Sequence, residues 1–137
     1  MKYYITGING FIGFTLAKKL SELGHEVTGI DNMNHYYDVS LKIARNRILV
    51  KEHGIRSNYG SLLSNGDLNH TLSKEKPDVV IHLAAYAGIR NSIENPNQYI
   101  NNNVTGTQNL INACEKYGIE NVLYASTSSV MADNKIW

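Results

Sequence analysis

The 137-residue chain has the length of one globular domain with its own hydrophobic core. Its net charge of +1 leaves no broad basic surface, which argues against binding to nucleic acid or to an anionic membrane. The one cysteine, Cys114, excludes an internal disulfide framework. The sequence has no apolar run long enough to cross a bilayer, no clean secretory signal and no metal-ligand spacing among its five histidines. We therefore expect a cytoplasmic protein without a metal site.

Apolar, β-prone segments alternate with helical patterns along the chain, which is typical of βαβ units and a parallel sheet. The predicted strands cover residues 2–6, 26–30, 55–59, 78–83 and 121–125. Helices are predicted after the first strand up to Gly24, over 39–52, over 68–74 and from Pro96 to Tyr117. With right-handed crossovers, this order gives a doubly wound sheet of strand order 3-2-1-4-5.

Apolar residues recur at helical spacing in three of these helices and predict the faces that pack on the sheet. The first helix carries Ile12, Leu16, Leu20 and Leu23, and the second carries Leu41, Ala44 and Ile48. The long helix carries Ile100, Val104, Thr107, Ile111 and Cys114, with Gly118 after its end. The sequence contains no repeat, low-complexity segment or linker, which favours a single domain over residues 1–137.

A glycine-rich segment, Gly7-Ile8-Asn9-Gly10-Phe11-Ile12-Gly13, lies where the first strand turns into the first helix. Gly7 permits the tight turn, Gly10 lets the backbone approach a pyrophosphate at the helix N-terminus, and Gly13 lets the helix pack closely on the strand. Glycine triplets also mark ordinary turns. Here, however, strand, glycines, helix and second strand follow in the order that a dinucleotide-binding Rossmann fold requires.

Asp31 ends the second strand, 24 residues after Gly7. A carboxylate at this point accepts hydrogen bonds from the adenosine ribose hydroxyls and repels a 2′-phosphate, so Asp31 predicts NAD rather than NADP. No arginine neighbours it in the sequence. The alternative is a solvated aspartate in a turn formed with Asn32.

Five segments of the chain share their sequence pattern with one known family. They are the GxxGxxG motif at 7–13 and residues 31–42 (DNMNHYYDVSLK), 82–90 (HLAAYAGIR), 95–114 and 124–130 (YASTSSV). Together they resemble the NAD-dependent nucleotide-sugar epimerase/dehydratase family of extended short-chain dehydrogenases, and most closely its UDP-glucuronate 4-epimerases. The resemblance runs from Lys2 to about Val130 and implies NAD as cofactor and a UDP-sugar as partner of the intact enzyme.

The resemblance also implies which residues contact the cofactor and the sugar nucleotide. Besides Gly7, Gly10, Gly13 and Asp31, the cofactor residues are Phe11, Ile12, Asn32, Ser61, Leu62, Leu83, Ala84, Ala85 and Asn103. Ser61 departs from the family's usual aspartate, and Asn103 is otherwise a solvated polar position. Gly88 and Arg90 are expected to face the sugar nucleotide, where Arg90 would bind a phosphate or carboxylate bidentately unless it is an ordinary surface arginine.

Thr127 matches the family's catalytic serine or threonine, whose hydroxyl bonds the sugar 4-OH and so also contacts the substrate. The alternative is a Ser/Thr-rich strand end that caps backbone groups, with Ser128 and Ser129 beside it. In the family, NAD+ takes the C4 hydride, the 4-keto sugar turns over, and the hydride returns to its other face. The family's base is a tyrosine with a lysine four residues later, and none of the nine tyrosines here has that partner.

We therefore expect the N-terminal, NAD-binding portion of a UDP-sugar 4-epimerase, an isomerase that is inactive without the Tyr–Lys pair and the sugar-binding lobe. Two alternatives stay open: a free-standing NAD-binding module or pseudoenzyme, and a fragment of a nucleotide-sugar 4,6-dehydratase or reductase. In the family the long helix joins a dimer interface, so the resemblance also implies a homo-oligomer.

Overall fold

Strands and helices alternate along residues 1–127, which with Val130 are the part of the chain that the computed structural model describes. The strands are β1 (Lys2–Thr6), β2 (Glu26–Asp31), β3 (Arg56–Tyr59), β4 (Val79–His82) and β5 (Asn121–Tyr124). The helices are α1 (Phe11–Glu22), α2 (Val39–His53), α3 (Asn65–Glu75), α4 (Ile89–Glu94), α5 (Pro96–Tyr99) and α6 (Gly106–Lys116). A π-helical segment, Ile100–Thr105, joins α5 to α6.

The five strands form one parallel sheet in the order β3-β2-β1-β4-β5, which confirms the predicted order. In register, Thr6 lies opposite Ile30 on one side and His82 on the other. Parallel strands all end at the same edge of a sheet. The residues that follow β1, β2 and β4 therefore meet there, where doubly wound sheets bind ligands.

Two apolar clusters, one on each face of the sheet, form the core. One consists of Tyr4, Ile30, Leu62, Leu68, Leu72, Val80, Leu110, Ala113, Cys114 and Ile119 and lies under α3 and α6. The other consists of Ile5, Ile8, Ala17, Val27, Leu49, Ile55, Val79 and Ile81 and lies under α1 and α2. Helices on both faces are the physical reason that β1 and β4 read as nearly continuous apolar runs.

The predicted buried faces of α1 and α2 need correction. In α1 the buried residues are Gly13 and Ala17, whereas Ile12 is 64% exposed and Leu23, just past the helix, 60% exposed. In α2, the buried residues are Lys42 and Leu49, and the predicted Leu41 is 51% exposed, Ala44 exposed and Ile48 half-buried. The predicted face of α1 is confirmed in part, because Leu16 and Leu20 are half-buried and pack against the core beside the small buried residues. In α2 the buried face instead includes Lys42, which is paired with Asp31.

The predicted helix from Pro96 to Tyr117 is helical along its length but not uniform. Its buried residues are Gly106, Leu110, Ala113 and Cys114, all in α6. The predicted face is split, because Ile100, Val104 and Ile111 are 54%, 63% and 48% exposed while Cys114 is buried. A π-helical turn has a wider repeat than an α-helical one, so a 3.6-residue period cannot be carried across it. The short helix α4 was not predicted.

The outer strand β5 differs from the strands at the centre of the sheet. Its four residues are all exposed, including Leu123 at 59% and Tyr124 at 63%. Across residues 1–127, no helix is both long and apolar enough to cross a membrane. Within the same described residues, no group of three or more His, Cys, Asp or Glu side chains is placed to hold a metal ion.

Candidate functional site

A cavity of about 360 Å³ opens at the carboxyl edge of the sheet, between the segments that follow β1, β2 and β4. Its lining includes nine of the predicted cofactor residues: Gly7, Gly10, Phe11, Asp31, Asn32, Leu62, Leu83, Ala84 and Ala85. It also includes residues that the sequence did not single out: Ile30, Asn34, Tyr36, Tyr37, Asp38, Leu41, Lys42, Arg45, Gly60, Tyr86 and Asn102. Its size and concavity suit a small organic ligand.

The glycine loop forms one wall of this cavity, and its tight packing explains the residue type. Gly7 has a φ of +72°, and a Cβ there would lie 3.0 Å from the backbone nitrogen of Ala84. A Cβ on Gly13 would lie 2.3 Å from the carbonyl oxygen of Gly7, which is too close for two non-bonded atoms. Gly10 is the N-cap of α1 and, having no side chain, leaves the N-terminus of this 12-residue helix without a side-chain cap.

Asp31 lies at the bottom of the cavity and is only 4% exposed. Its Oδ2 accepts from the backbone N–H of Asn9 at 3.1 Å, and its Oδ1 accepts from that of Met33 at 2.8 Å. The ammonium of Lys42, on α2, donates to Oδ1 at 3.2 Å and to Asn34 Oδ1 at 3.4 Å. The carboxylate is thus buried, bonded and paired with a cation, and the alternative of a solvated turn aspartate is wrong.

Two cations from α2 share the cavity with Asp31, although no arginine neighbours it in the sequence. Lys42 is 8% exposed. Arg45 lines the cavity, stacks within 6.0 Å of the Phe11 ring, and donates to the carbonyl of Asn9 at 3.3 Å. Lys42 is the last residue of the segment 31–42, but its place in the sequence did not indicate that it would pair with Asp31. Only the fold shows that one turn of α2 brings it under the end of β2.

The opposite wall is the segment Leu83–Tyr86, which is held through its backbone. Thr6 Oγ1 accepts from the N–H groups of Leu83 and Ala84, each at 3.1 Å. Asn103 uses both ends of its side-chain amide on Tyr86, since Nδ2 donates to the carbonyl and Oδ1 accepts from the N–H, both at 2.8 Å. Asn103 therefore holds the wall from behind, and the neighbouring Asn102 lines the cavity.

A cluster of four tyrosines joins the loop after β2 to the loop after β4. Tyr36 packs edge-on against Tyr37 and Tyr86, and Tyr86 lies 5.8 Å from Tyr99 between ring centroids. The hydroxyls of Tyr36 and Tyr99 both lie within hydrogen-bond distance of the carbonyl of Ala87 and 3.3 Å from each other, and their two hydrogens are shared among these contacts. The hydrogen bond to Tyr99 raises the pKa of Tyr36 to about 12, so Tyr36 remains a neutral phenol at physiological pH.

The other predicted site residues lie away from the cavity lining. Ile12 is exposed on α1. Ser61 lies beside the lining residues Gly60 and Leu62, where its N–H donates to Asp67 Oδ2 at 2.9 Å and its hydroxyl accepts from Leu63.

Gly88, Arg90 and Thr127 were predicted to face the sugar nucleotide. Gly88 has a φ of +98° and caps α4, where a Cβ would lie 2.6 Å from the Tyr36 hydroxyl. Arg90 is exposed on α4, and Thr127 is exposed three residues after β5. Ser128 and Ser129 lie outside the described residues.

Comparison with known proteins gives consistent matches. The model of the NAD dependent epimerase/dehydratase family matches residues 3–136. The chain is 46% identical over 134 residues to Protein CapI of Staphylococcus aureus, covering 98% of this chain and 40% of that protein. It is 41% identical over 135 residues to a probable UDP-glucuronate 4-epimerase of Rhizobium meliloti (strain 1021), again covering 98% and 40%.

The fold is similar to that of solved enzymes. The crystal structure of UDP-glucuronic acid 4-epimerase from Bacillus cereus, in complex with UDP-glucuronic acid and NAD, has a TM-score of 0.85 and 34% identity. The match covers 95% of this chain and 41% of that one. The chain thus spans about 40% of the length of the curated relatives that it matches.

Proposed function

The chain belongs to the NAD dependent epimerase/dehydratase family, and we propose that residues 1–137 form the NAD-binding portion of a UDP-sugar 4-epimerase. NAD is the cofactor of this family, and bound in this cavity it would supply the hydride chemistry at C4 of the sugar. The observation that carries the proposal is the buried carboxylate of Asp31 in a cavity walled by the glycine loop.

The cavity fits NAD by shape and by chemistry. Gly7 and Gly10 present bare backbone, and the open N-terminus of α1 offers N–H groups and a positive helix-dipole end to a pyrophosphate. Side chains at Gly7 and Gly13 would collide with the backbone of Ala84 and of Gly7, so only glycine at these positions keeps the loop in this conformation. Leu83–Ala85 provide a flat, small-residue wall on which a nucleoside can lie.

The ribose site combines an acceptor and a donor. Asp31 offers carboxylate oxygens to the adenosine ribose hydroxyls, and the Lys42 ammonium, 3.2 Å away, orients that carboxylate. A 2′-phosphate would have to approach Asp31 at a buried position, where repulsion between like charges is weakly screened. The two nearby cations are already engaged, Lys42 with Asp31 and Asn34, and Arg45 with the carbonyl of Asn9. We therefore infer that the site selects NAD over NADP.

Isothermal titration calorimetry with NAD and NADP tests this assignment. We expect the chain to bind NAD more tightly, and we expect Asp31→Asn to lower the preference for NAD by about tenfold or more, which is about 1.4 kcal/mol. Glu22→Gln is the matched control, because Glu22 is an exposed carboxylate on α1 away from the cavity. Equal or tighter NADP binding by the unmodified chain would overturn the role given to Asp31.

The sugar nucleotide is proposed to be a UDP-sugar such as UDP-glucuronate. Thr127 follows β5 at the same edge of the sheet as the cavity, since Tyr124 pairs with His82 in register. This position supports contact between Thr127 and the sugar 4-OH. Gly88 caps α4 and Arg90 lies in its first turn, soon after the Leu83–Tyr86 wall, which is consistent with a role beside the sugar.

A further inference from the structure

His82, the last residue of β4, is a polar side chain inside the core that the function proposed above does not use. It is 4% exposed, and both of its ring nitrogens are hydrogen-bonded. Nδ1 lies 2.7 Å from Thr6 Oγ1, and Nε2 lies 2.9 Å from Thr107 Oγ1. The imidazole therefore bridges the end of β1 and the start of α6.

The partners of Thr6 fix where the imidazole carries its proton. A hydroxyl has one hydrogen to donate and two lone pairs to accept with. Thr6 Oγ1 already accepts from the N–H groups of Leu83 and Ala84, so its hydrogen goes to His82 Nδ1. Nδ1 is then an acceptor, and the imidazole hydrogen lies on Nε2.

The chain of donors continues into the helix on the other side. His82 Nε2–H donates to Thr107 Oγ1, and the Thr107 hydroxyl donates to the carbonyl of Asn103 at 2.7 Å. Asn103 is the residue whose side chain holds Tyr86. The two anchors of the Leu83–Tyr86 wall, one at each end, are thus linked through a single imidazole.

We propose that His82 is a positioning residue of the cofactor cavity, which acts as a neutral Nε2–H imidazole and locks the wall Leu83–Tyr86 through Thr6 and Thr107. This inference rests on the proposed NAD site, because the locked wall is the one on which NAD would lie. His82 itself lies behind the wall and is not among the residues that line the cavity.

Protonation of His82 is incompatible with this arrangement. A second ring N–H would face the Thr6 hydroxyl, which must then accept from it and release the N–H of Leu83 or Ala84. Burial lowers the pKa of His82 and so favours the neutral ring, which packs on the β5 side against the ring of Tyr124, 5.8 Å away between centroids. NAD binding should therefore weaken as the pH falls and His82 becomes charged.

Paired substitutions at Thr107 separate positioning from mere stability. Thr107→Val removes the acceptor for Nε2–H with little change in volume, whereas Thr107→Ser retains the hydroxyl. We expect Thr107→Val to raise the Kd for NAD about tenfold at neutral pH and Thr107→Ser to stay within about twofold, both measured by calorimetry on folded protein. In His82→Asn the amide oxygen can still accept from Thr6 but the side chain cannot become charged. The Kd for NAD of this variant should therefore no longer rise as the pH falls through the range in which His82 is protonated.

Nitrogen-15 NMR of the His82 ring reads the tautomer without NAD and without a variant. A proton on Nε2 and a bare Nδ1 are expected. A proton on Nδ1, or Thr107→Val with an unchanged Kd, would overturn the role of His82 while leaving the proposed function intact. No NAD binding by the unmodified chain at any pH would instead overturn the proposed function, and the positioning role with it.

Discussion

The ion pair between Lys42 and Asp31 gives the sharpest test of how the cavity is held. The ammonium lies 3.2 Å from the carboxylate, and the two side chains are 10% and 2% exposed. Lys42→Met keeps the length and the apolar stem of the side chain and removes only its charge. Asp31 then stays in the core with a negative charge and without a cation beside it.

The expected cost follows from burial. Removing one partner of a buried ion pair costs about 3–5 kcal/mol, because the charge left behind has lost its water and its counter-ion. Asp31 keeps two N–H donors, from Asn9 and Met33, so we expect the lower end, about 3 kcal/mol. For a chain of this length that corresponds to a fall in Tm of about 10 °C.

Urea unfolding and thermal unfolding, followed by circular dichroism, measure the loss. The matched control is Lys2→Met, which breaks the surface pair between Lys2 and Glu26 at 3.7 Å, where the side chains are 50% and 52% exposed. That variant should lose no more than about 0.5 kcal/mol. Adding Asp31→Asn to Lys42→Met should recover part of the loss, since a neutral amide has no charge to leave unpaired. If Lys42→Met costs less than about 1 kcal/mol, the pair is no stronger than a surface pair and does not orient α2.

Three further predictions concern activity, association and the glycine loop. The 137-residue chain should not interconvert UDP-glucuronate and UDP-galacturonate, because none of its nine tyrosines has the lysine four residues later that the family's catalytic base requires. Turnover detected by chromatography of the sugar nucleotides would contradict this prediction. The apolar side chains of Val104 and Ile111, 63% and 48% exposed, should drive self-association. Sedimentation velocity at micromolar concentration should show a dimer or a larger oligomer, and Val104→Lys should shift it toward the monomer. A folded monomer of the unmodified chain would refute this prediction. Gly13→Ala should lower the free energy of unfolding in urea by about 2 kcal/mol or more, because its Cβ would lie 2.3 Å from the Gly7 carbonyl oxygen. The control is Gly66→Ala in α3, whose Cβ would lie 3.6 Å from its nearest neighbour, Ser64 Oγ, and which should be neutral or stabilising.

The order of the strands could be predicted from the sequence because alternating patterns and right-handed crossovers leave few arrangements. The faces of the helices could be predicted only in part: Leu16, Leu20 and Cys114 pack on the core as expected, and the other predicted residues lie mostly outside it. A periodicity argument counts lysine as polar, and it therefore missed that Lys42 is buried by its pairing with Asp31. It also treated Pro96 to Tyr117 as a regular helix, whereas the π-helical segment Ile100–Thr105 changes the register of side chains along it.

The candidate site, like the fold, could be predicted from the sequence only in part. The glycine motif and Asp31 could be found from spacing because the chemistry needs them at fixed offsets from the first strand. Arg45 and Tyr36 reach the cavity from elements whose orientation only the packing decides, and their sequence context gave no separate signal. Asn103 was assigned to the cofactor on resemblance, yet its amide is occupied by Tyr86, so its contribution to the wall depends on backbone contacts that no motif encodes.

Buried polar groups hold both walls of the cavity, Asp31 from within its lining and His82 from behind the Leu83–Tyr86 wall. Asp31 fixes α2 through Lys42, and His82 fixes the start of α6 through Thr107, so each charged or polar group ties a helix to the end of a strand. Buried polar contacts tolerate far less displacement than apolar ones, since a hydrogen bond weakens steeply as its geometry departs from the ideal. The positions of α2 and α6 relative to the cavity therefore depend on these few polar contacts as well as on the packing of the apolar clusters.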